Sequence, residues 1–341
     1  MSKIDTELMD HLVQSAPLYD PELTMPVRVQ AGREIRRKGS QLWSVDLSGS
    51  GKVLHLMVKT RTPLHIAPSA YRLPPLPDCA NQFGYAGSAL KHIESIPTDT
   101  TFQPLKIYET DTEKDRIIME DIGGRDLMSN LLAAHRFKTQ EAPENLQAWC
   151  RHSGAALRAI HAAMPPQPGC ELPDHERLLH DVQAPNSLIT AVTEASERLN
   201  PNAKTATLFG DFWSGNILIR DNGKIAMIDP IAANSGPVYI DIAYFLVQLR
   251  MLPAQVYSHG LWSHGAVIDA CEKAFLRGYF GDEIIDWPDI NFYRALIVLC
   301  KWASIEHMIG QLPWTRAYKT VQLRWRQPYY TRLIHHFLAA Q

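Results

Sequence analysis

The sequence predicts an α+β protein of two lobes, residues 1–120 and 121–341, the first rich in strands and the second mainly helical. Three observations lead there. Apolar and polar residues alternate through much of the first third, the period of a half-buried strand. Beyond Gly123-Gly124 the apolar residues recur at helical spacing over long segments. Runs of strands followed by runs of helices indicate α+β architecture rather than alternating βα units. A chain of 341 residues is also long enough for about two domains or one large bilobal one.

In chain order, REIRRKGSQLWSVDLS and GKVLHLMVKT read as strands, with SGSG at 48–51 turning between them. The stretch PLHIAPSAYRLPPLP, residues 63–77, carries Pro63, Pro68, Pro74, Pro75 and Pro77. Proline lacks an N–H and has a fixed φ, so this stretch reads as a long loop. QFGYAGSALKHIESI reads as a helix, and LKIYETDTEKDRIIMED as two strands around the polar turn Thr110 to Asp115. Past the glycine pair, helical patterns occupy ENLQAWCRHSGAALRAIHAAM, SLITAVTEASERL, HGAVIDACEKAFLRGYF, residues 292–309 and YTRLIHHFLAA. There is no internal repeat and no long low-complexity tract.

Composition narrows the function classes. The chain is 45% hydrophobic and 21% charged, ordinary for a globular protein, and its formal net charge is −2. No global field therefore argues for a nucleic-acid or membrane partner. Five scattered cysteines (Cys79, Cys150, Cys170, Cys271, Cys300) form no C-x-x-C pair, which fits a reducing compartment and argues against a disulfide framework or cysteine zinc site. The fourteen histidines include His335-His336 but no H-E-x-x-H spacing. The first twenty residues lack a continuous apolar run. FYRALIVLCKWASIEHMI is broken by Arg294, Lys301 and Glu306, so it reads as an amphipathic helix rather than a membrane span. The expected location is the cytoplasm.

The most informative stretch is ILIRDNGKIAMID. Two short apolar strands flank Asp221-Asn222-Gly223, and Asn-Gly favours the tight turn of a hairpin. Folding that hairpin brings Asn216 and Asp229 side by side, with Asp211 on the loop just upstream in GDFWSGN. Turn chemistry alone would place such residues as strand caps. The second acid, Asp211, five positions before Asn216, points instead to a set of oxygen ligands. Mg²⁺ favours one or two carboxylates completed by phosphate oxygens and water.

LFGDFWSGNILIRDNGKIAMIDP resembles the catalytic core of the aminoglycoside phosphotransferase and fructosamine kinase families, which share the protein-kinase-like fold. Asp211, Asn216 and Asp229 fill the places of the catalytic Asp, the Asn five residues on and the later metal-binding Asp. The WSGN and Asp-Pro wording is similar to fructosamine kinases in particular. Gly236-Pro237 and Asp241-Ile242-Ala243 resemble further family elements. The resemblance implies a Mg-ATP-dependent small-molecule kinase acting on a hydroxyl of a sugar-like or aminoglycoside-like acceptor, with a β-rich N-lobe that binds nucleotide and a helical C-lobe that builds the acceptor pocket. Asp211 would orient the acceptor hydroxyl and take its proton, and Asn216 and Asp229 would hold Mg²⁺. Lys59 would neutralise the ATP phosphates, the loop at Lys38, Gly39 and Ser40 would cover them, and backbone groups of Glu120 and Ile122 would meet the adenine edge.

The chain departs from the family at two places. GYAGSALKHI has no acid to orient Lys59, and Glu94 is the nearest substitute, either in that role or as a solvated residue. Phe209 stands where the family usually has histidine before Gly-Asp. Asp241 has two readings, a brace for the catalytic loop or a helix N-cap; His161 reads as structural. Only twelve positions separate Asp229 from Asp241, and no A-P-E follows, so a peptide platform hardly fits and the expected acceptor is a small molecule with a hydroxyl. Asp282, Glu283, Asp286 and Asp289 would suit a cationic acceptor. The acid-free stretch from His307, with Arg316, Lys319, Arg324, Arg326 and Arg332, would suit an anionic one. Both read as solvated faces, and neither assigns an acceptor. The alternatives are a fructosamine kinase and, in another class, a degenerate kinase fold that binds without phosphotransfer.

Overall fold

The computed structural model describes residues 6–37, 40–61, 71–77, 81–136, 143–261, 265–311 and 316–339. Five strands form one antiparallel sheet in the order β1-β2-β3-β5-β4. They are β1 (Arg28–Arg37), β2 (Ser40–Gly49), β3 (Lys52–Arg61), β4 (Ile107–Asp111) and β5 (Arg116–Glu120). β2 turns into β3 through Ser50 and Gly51, at φ +53 and +79, a left-handed pair that suits a two-residue hairpin.

Alternation along the strands divides the sheet's faces. Val45, Leu47, Leu56, Val58 and Ile118 point to one side, where α1 (Thr6–Tyr19) packs Leu8, Leu12, Ala16 and Tyr19 against them. Ile107, Ile117 and Met119 point to the other, onto Phe83 and Leu90 of α2 (Gln82–Glu94). Lys59 shares this second face with Met57, two residues away.

The remainder is mainly helical: α3 (Leu127–Arg136), α4 (Glu144–Ala163), α5 (His175–Asp181), α6 (Asn186–Ser196), α7 (Tyr239–Arg250), α8 (Pro253–Tyr257), α9 (Gly265–Phe280), α10 (Trp287–Gln311) and α11 (Arg316–Ala339). α7 is buried along nearly its whole length, which is why its apolar residues show so little sidedness. α4 and α9 cross at glycines: a Cβ on Gly154 would lie 2.1 Å from the Phe275 carbonyl oxygen, and one on Gly278 1.9 Å from that of Arg151. Among the described residues no helix is long and apolar enough to cross a membrane.

Short strands are set into this helical part. β6 (Arg125–Asp126), β8 (Ile217–Ile219) and β9 (Ile225–Met227) form one small sheet, and β7 (Thr205–Thr207) pairs with β10 (Ser235–Pro237). At the glycine pair joining the lobes, a Cβ on Gly124 would lie 2.2 Å from the Ile219 carbonyl oxygen. Of the proline-rich stretch, residues 71–77 are described, while Pro63, Pro68 and Cys79 lie outside the described residues. Leu73 is 2% exposed and belongs to the helical core, so this stretch is packed into the helical part of the molecule.

Candidate active site

β8 and β9 form the hairpin read from the sequence, with Ile217 opposite Met227 and Gly223 at φ +79 in the turn. The pairing runs one step further, since the Ile228 N–H donates to the Asn216 carbonyl at 3.0 Å. Asn216 and Asp229 therefore leave the hairpin at neighbouring ends. Asp229 turns the chain at φ +59, a left-handed conformation that Asp tolerates better than most residues. Lys59 reaches it from β3, donating from Nζ to Asp229 Oδ1 at 2.7 Å, 5.5 Å from the centre of the Phe83 ring. At 12% side-chain exposure, Lys59 is held between the sheet and the hairpin rather than solvated.

Asp211 and Asn216 share one loop, closed by a single 3-10 turn at Ser214–Asn216. The Asn216 amide nitrogen donates to the Asp211 carbonyl at 2.9 Å and to its Oδ2 at 3.2 Å, bonds that do not use the amide oxygen. Asp211 Oδ1 accepts from the Tyr244 hydroxyl at 3.0 Å and from Arg72 at 2.7 Å. Burial, with the Asp211 charge added, pushes the Tyr244 phenol well above its ordinary range, so it stays a donor. Lys301 of α10 lies with its Nζ 5.1 Å from the Tyr244 ring centre. Burial brings Lys301 down to about 8 against the attraction of Asp211.

Under this loop lies Asp241, fully buried. Its Oδ2 accepts the Phe209 N–H at 2.6 Å and its Oδ1 the Gly210 N–H at 2.9 Å. Of the two readings offered by the sequence, the brace is therefore the one the geometry shows. α7 has Val238 at its N-cap and no side-chain cap, and Asp241 sits inside the first turn. His161 Nε2 adds a third contact to Asp241 at 3.0 Å, while its Nδ1 meets the Tyr279 hydroxyl at 2.8 Å. A carboxylate only accepts, so Nε2 carries a proton and donates it to Asp241.

Glu120 and Ile122 stand where the sheet passes into the helical part. The Glu120 N–H is already donated to the Lys106 carbonyl at 2.9 Å. Arg220 donates to both Glu120 carboxylate oxygens at 2.8 Å and to the carbonyls of Gln103 and Pro104 at 3.2 and 2.9 Å. Burial alone would raise the Glu120 pKa, but the bonds and charge of Arg220 outweigh it and hold it below the usual carboxylate range. Ile122 lies partly buried beside Met57 and Ile228, on the α2 side of the sheet.

Glu94 does not orient Lys59. Its carboxylate is turned to the sheet, where it accepts the Ile107 N–H at 3.1 Å, and Asp229 is the carboxylate that Lys59 meets. Ser40 opens β2 with its side chain buried, and Gly39 lies outside the described residues. Two members of the acidic cluster are tied into the fold, because Asp289 accepts the Asn200 N–H at 3.0 Å and Glu283 pairs with Arg158 at 2.6 Å. Arg326 and Arg332 of the basic stretch likewise bond to Tyr257 and to the His259 carbonyl.

Arg72, Tyr244 and Lys301 were not among the residues read as functional. Lys301 left a signal, a charge inside an otherwise apolar helix. Tyr244 left a weaker one, three residues after Asp241 on the same helix face. Arg72 left none, since a proline-dense loop has no periodicity to place it.

Comparison with known proteins bears on the fold and the family. Among solved structures, a spectinomycin phosphotransferase bound to ADP and spectinomycin is 12% identical, with a TM-score of 0.54 and 99% of each chain covered. A choline/ethanolamine kinase family protein from Mesorhizobium loti is 10% identical, with a TM-score of 0.52 over 96% of this chain and 98% of that one. The apoenzyme of a macrolide 2′-phosphotransferase from Brachybacterium faecium is 11% identical, with a TM-score of 0.51 over 93% and 98%. At these identities the likeness is one of fold. No curated protein matches the chain. The model of the phosphotransferase enzyme family matches residues 102–293, a span that takes in the Asp211 loop, the β8–β9 hairpin and the Asp241 brace. With more than half of its length matched, the chain belongs to the phosphotransferase enzyme family.

Proposed function

We propose that the protein is a Mg-ATP-dependent kinase that transfers the γ-phosphate to a hydroxyl of a small molecule. The observation that carries this reading is the convergence of Lys59, Asp229, Asn216 and Asp211 from the sheet, the hairpin and the loop above the Asp241 brace. Lys59 would neutralise the nucleotide phosphates. The partly buried side chains of Met57, Ile122 and Ile228 would flank the base, and the Glu120 carbonyl would accept from its edge.

The donors fit magnesium. One amide oxygen and one carboxylate are hard ligands, few enough to leave positions for phosphate oxygens and water. Bound there, Mg²⁺ would neutralise charge on the transferring phosphoryl group. Asp211 would hold the acceptor hydroxyl in line and receive its proton. The transition state is loose, so positioning matters more than a strongly basic carboxylate.

A small acceptor follows from the short connection between Asp229 and Asp241. Its middle is taken up by β10 pairing with β7, which leaves no extended segment to present a peptide. A small acceptor also agrees with two of the structural neighbours, a spectinomycin phosphotransferase and a macrolide 2′-phosphotransferase. The WSGN wording keeps fructosamines among the candidates.

ADP release with Mg-ATP over sugars, glycated amines and aminoglycosides tests the reading. Asp211→Asn is expected to lower the rate by at least ~10²-fold. If no acceptor is turned over and Mg-ATP leaves the melting temperature unchanged, the kinase reading fails. Nucleotide binding without turnover would instead favour the degenerate fold.

A further inference from the structure

We infer that the acceptor is a small hydroxylated anion, a carboxylate or a phosphate monoester, whose negative group takes Arg72 away from Asp211. This inference rests on the kinase reading and names the acceptor class of that same site. Arg72 donates to Asp211 Oδ1 at 2.7 Å, and Tyr244 donates to the same oxygen at 3.0 Å. The oxygen that would receive an acceptor hydroxyl is thus already occupied by a guanidinium. A hydroxyl alone is a poor replacement, because displacing Arg72 would leave a cation without its counter-ion. An acceptor that brings its own anion exchanges one ion pair for another and frees Oδ1 for its hydroxyl.

The surroundings support the exchange. The Arg72 Nε is buried and makes no hydrogen bond, so the guanidinium has a donor to spare. Lys301 supplies a second cation near Asp211, and it forms no ion pair among the described residues. Arg72 and Lys301 set two cations against the one carboxylate of Asp211, an arrangement that disfavours an amino-sugar cation at that point. Nor is Arg72 a passing loop residue. Its neighbour Leu73 is 2% exposed, the Tyr71 carbonyl accepts from Ser304 at 2.9 Å, and the Pro75 carbonyl accepts from Asn234 at 3.0 Å. Pro74 Cγ lies 3.5 Å from where a Cβ on Gly210, the neighbour of Asp211, would sit.

In the transfer, the bond between the γ-phosphorus and the bridging oxygen of ATP breaks. The acceptor hydroxyl oxygen bonds to that phosphorus, its proton passes to Asp211, and ADP leaves.

Four probes of one six-carbon skeleton test the inference: gluconate, glucose 6-phosphate, glucose and glucosamine. Each is added to the full-length protein saturated with ADP and Mg²⁺ for melting curves, and with Mg-ATP for ADP release. At least one anion is expected to raise the melting temperature by about 2 °C or more at tenfold excess over its Kd. Glucose and glucosamine are expected to shift it little. Arg72→Ala should abolish the shift and raise KM at least tenfold, and Arg72→Lys should restore part of both. The carboxylate and phosphate arms identify which anion is preferred. The inference is overturned if neither anion stabilises the wild type, if Arg72→Ala keeps the response, or if glucosamine is the better acceptor. Loss of ADP stabilisation in the wild type would remove the kinase reading as well, whereas ADP stabilisation without an Arg72-dependent anion response removes this inference alone.

Discussion

Replacing Asp241 with asparagine tests the brace under the Asp211 loop. The carboxylate accepts three bonds: Phe209 N–H at 2.6 Å, Gly210 N–H at 2.9 Å and His161 Nε2 at 3.0 Å. Asparagine has the same shape but one acceptor oxygen and one NH₂ group. If its oxygen faces Phe209 and His161, the NH₂ confronts the Gly210 N–H, donor against donor. The opposite orientation loses two bonds. The smaller loss removes one charge-assisted bond and strands one buried N–H, together about 2–4 kcal/mol. Spread over the unfolding entropy of a chain of 341 residues, that is a fall in Tm of roughly 3–6 °C. Urea unfolding followed by tryptophan fluorescence and circular dichroism measures the loss. The rate of phosphate transfer should fall too, since Gly210 directly precedes Asp211. An Asp241→Asn protein with unchanged urea midpoint and unchanged rate would refute the brace.

Three further outcomes are expected. Arg220→Met removes four hydrogen bonds and leaves Glu120 half-buried without its counter-ion, a loss of about 2–4 kcal/mol in urea unfolding, and adding Glu120→Gln should recover at least ~1 kcal/mol. Gly154→Ala and Gly278→Ala each drive a methyl group into a facing carbonyl, so α4 and α9 must separate and thermal melts should register a loss of at least ~2–3 kcal/mol. Lys301 titrates at about 8 when folded against an ordinary 10.5, so its buried charge destabilises the protein fully below pH 8 and progressively less up to pH 10.5. Lys301→Met should therefore be more stable than wild type at pH 7 and equal to it near pH 10.5, and an equal gain at both would show that titration is not the cause.

The parts of the site that were legible in the sequence are those fixed by local rules. Asn222-Gly223 can hardly form anything but a tight turn between two apolar triplets, and that turn brings Asn216 and Asp229 together. Strand alternation set the face of Lys59. Asp241 stayed ambiguous because an acid near the start of a helix satisfies both a cap and an inward brace, and only the packing of α7 separates them. Glu94 stayed open for a related reason: its position on α2 fitted a partner of Lys59 or a solvated residue, and its bond to the Ile107 N–H at the start of β4 is set by packing. α1 was missed although Leu8, Leu12, Ala16 and Tyr19 recur at helical spacing, because Pro17 interrupts the pattern. Arg72 was illegible in principle. Its place is set by Leu73 and Pro74 packing on residues far away in the chain, and no local pattern encodes that.

The departure at Phe209 bears on whether the site is active or decayed. A histidine at that position would offer its side chain to hold the loop. Here the hold is carried by the main chain, through the Phe209 and Gly210 N–H groups on Asp241. Phe209 itself meets Phe212 edge-on, with ring centres 5.3 Å apart, and Phe212 continues into the stacked pair Phe245 and Phe275 at 4.2 Å. An imidazole among those rings would need a hydrogen-bond partner that the aromatic cluster does not offer. The phenylalanine is therefore the residue its surroundings favour, and His161, reaching Asp241 from α4, supplies the imidazole to the brace instead. Decay of a catalytic site removes groups that contact the reacting atoms. At position 209 the change falls in a packing layer beneath the loop, while Lys59, Asp211, Asn216 and Asp229, the groups proposed to handle phosphate, are still in place above it. The substitution thus gives no support to a degenerate fold, and it leaves the turnover assay, rather than this residue, to decide between binding and transfer.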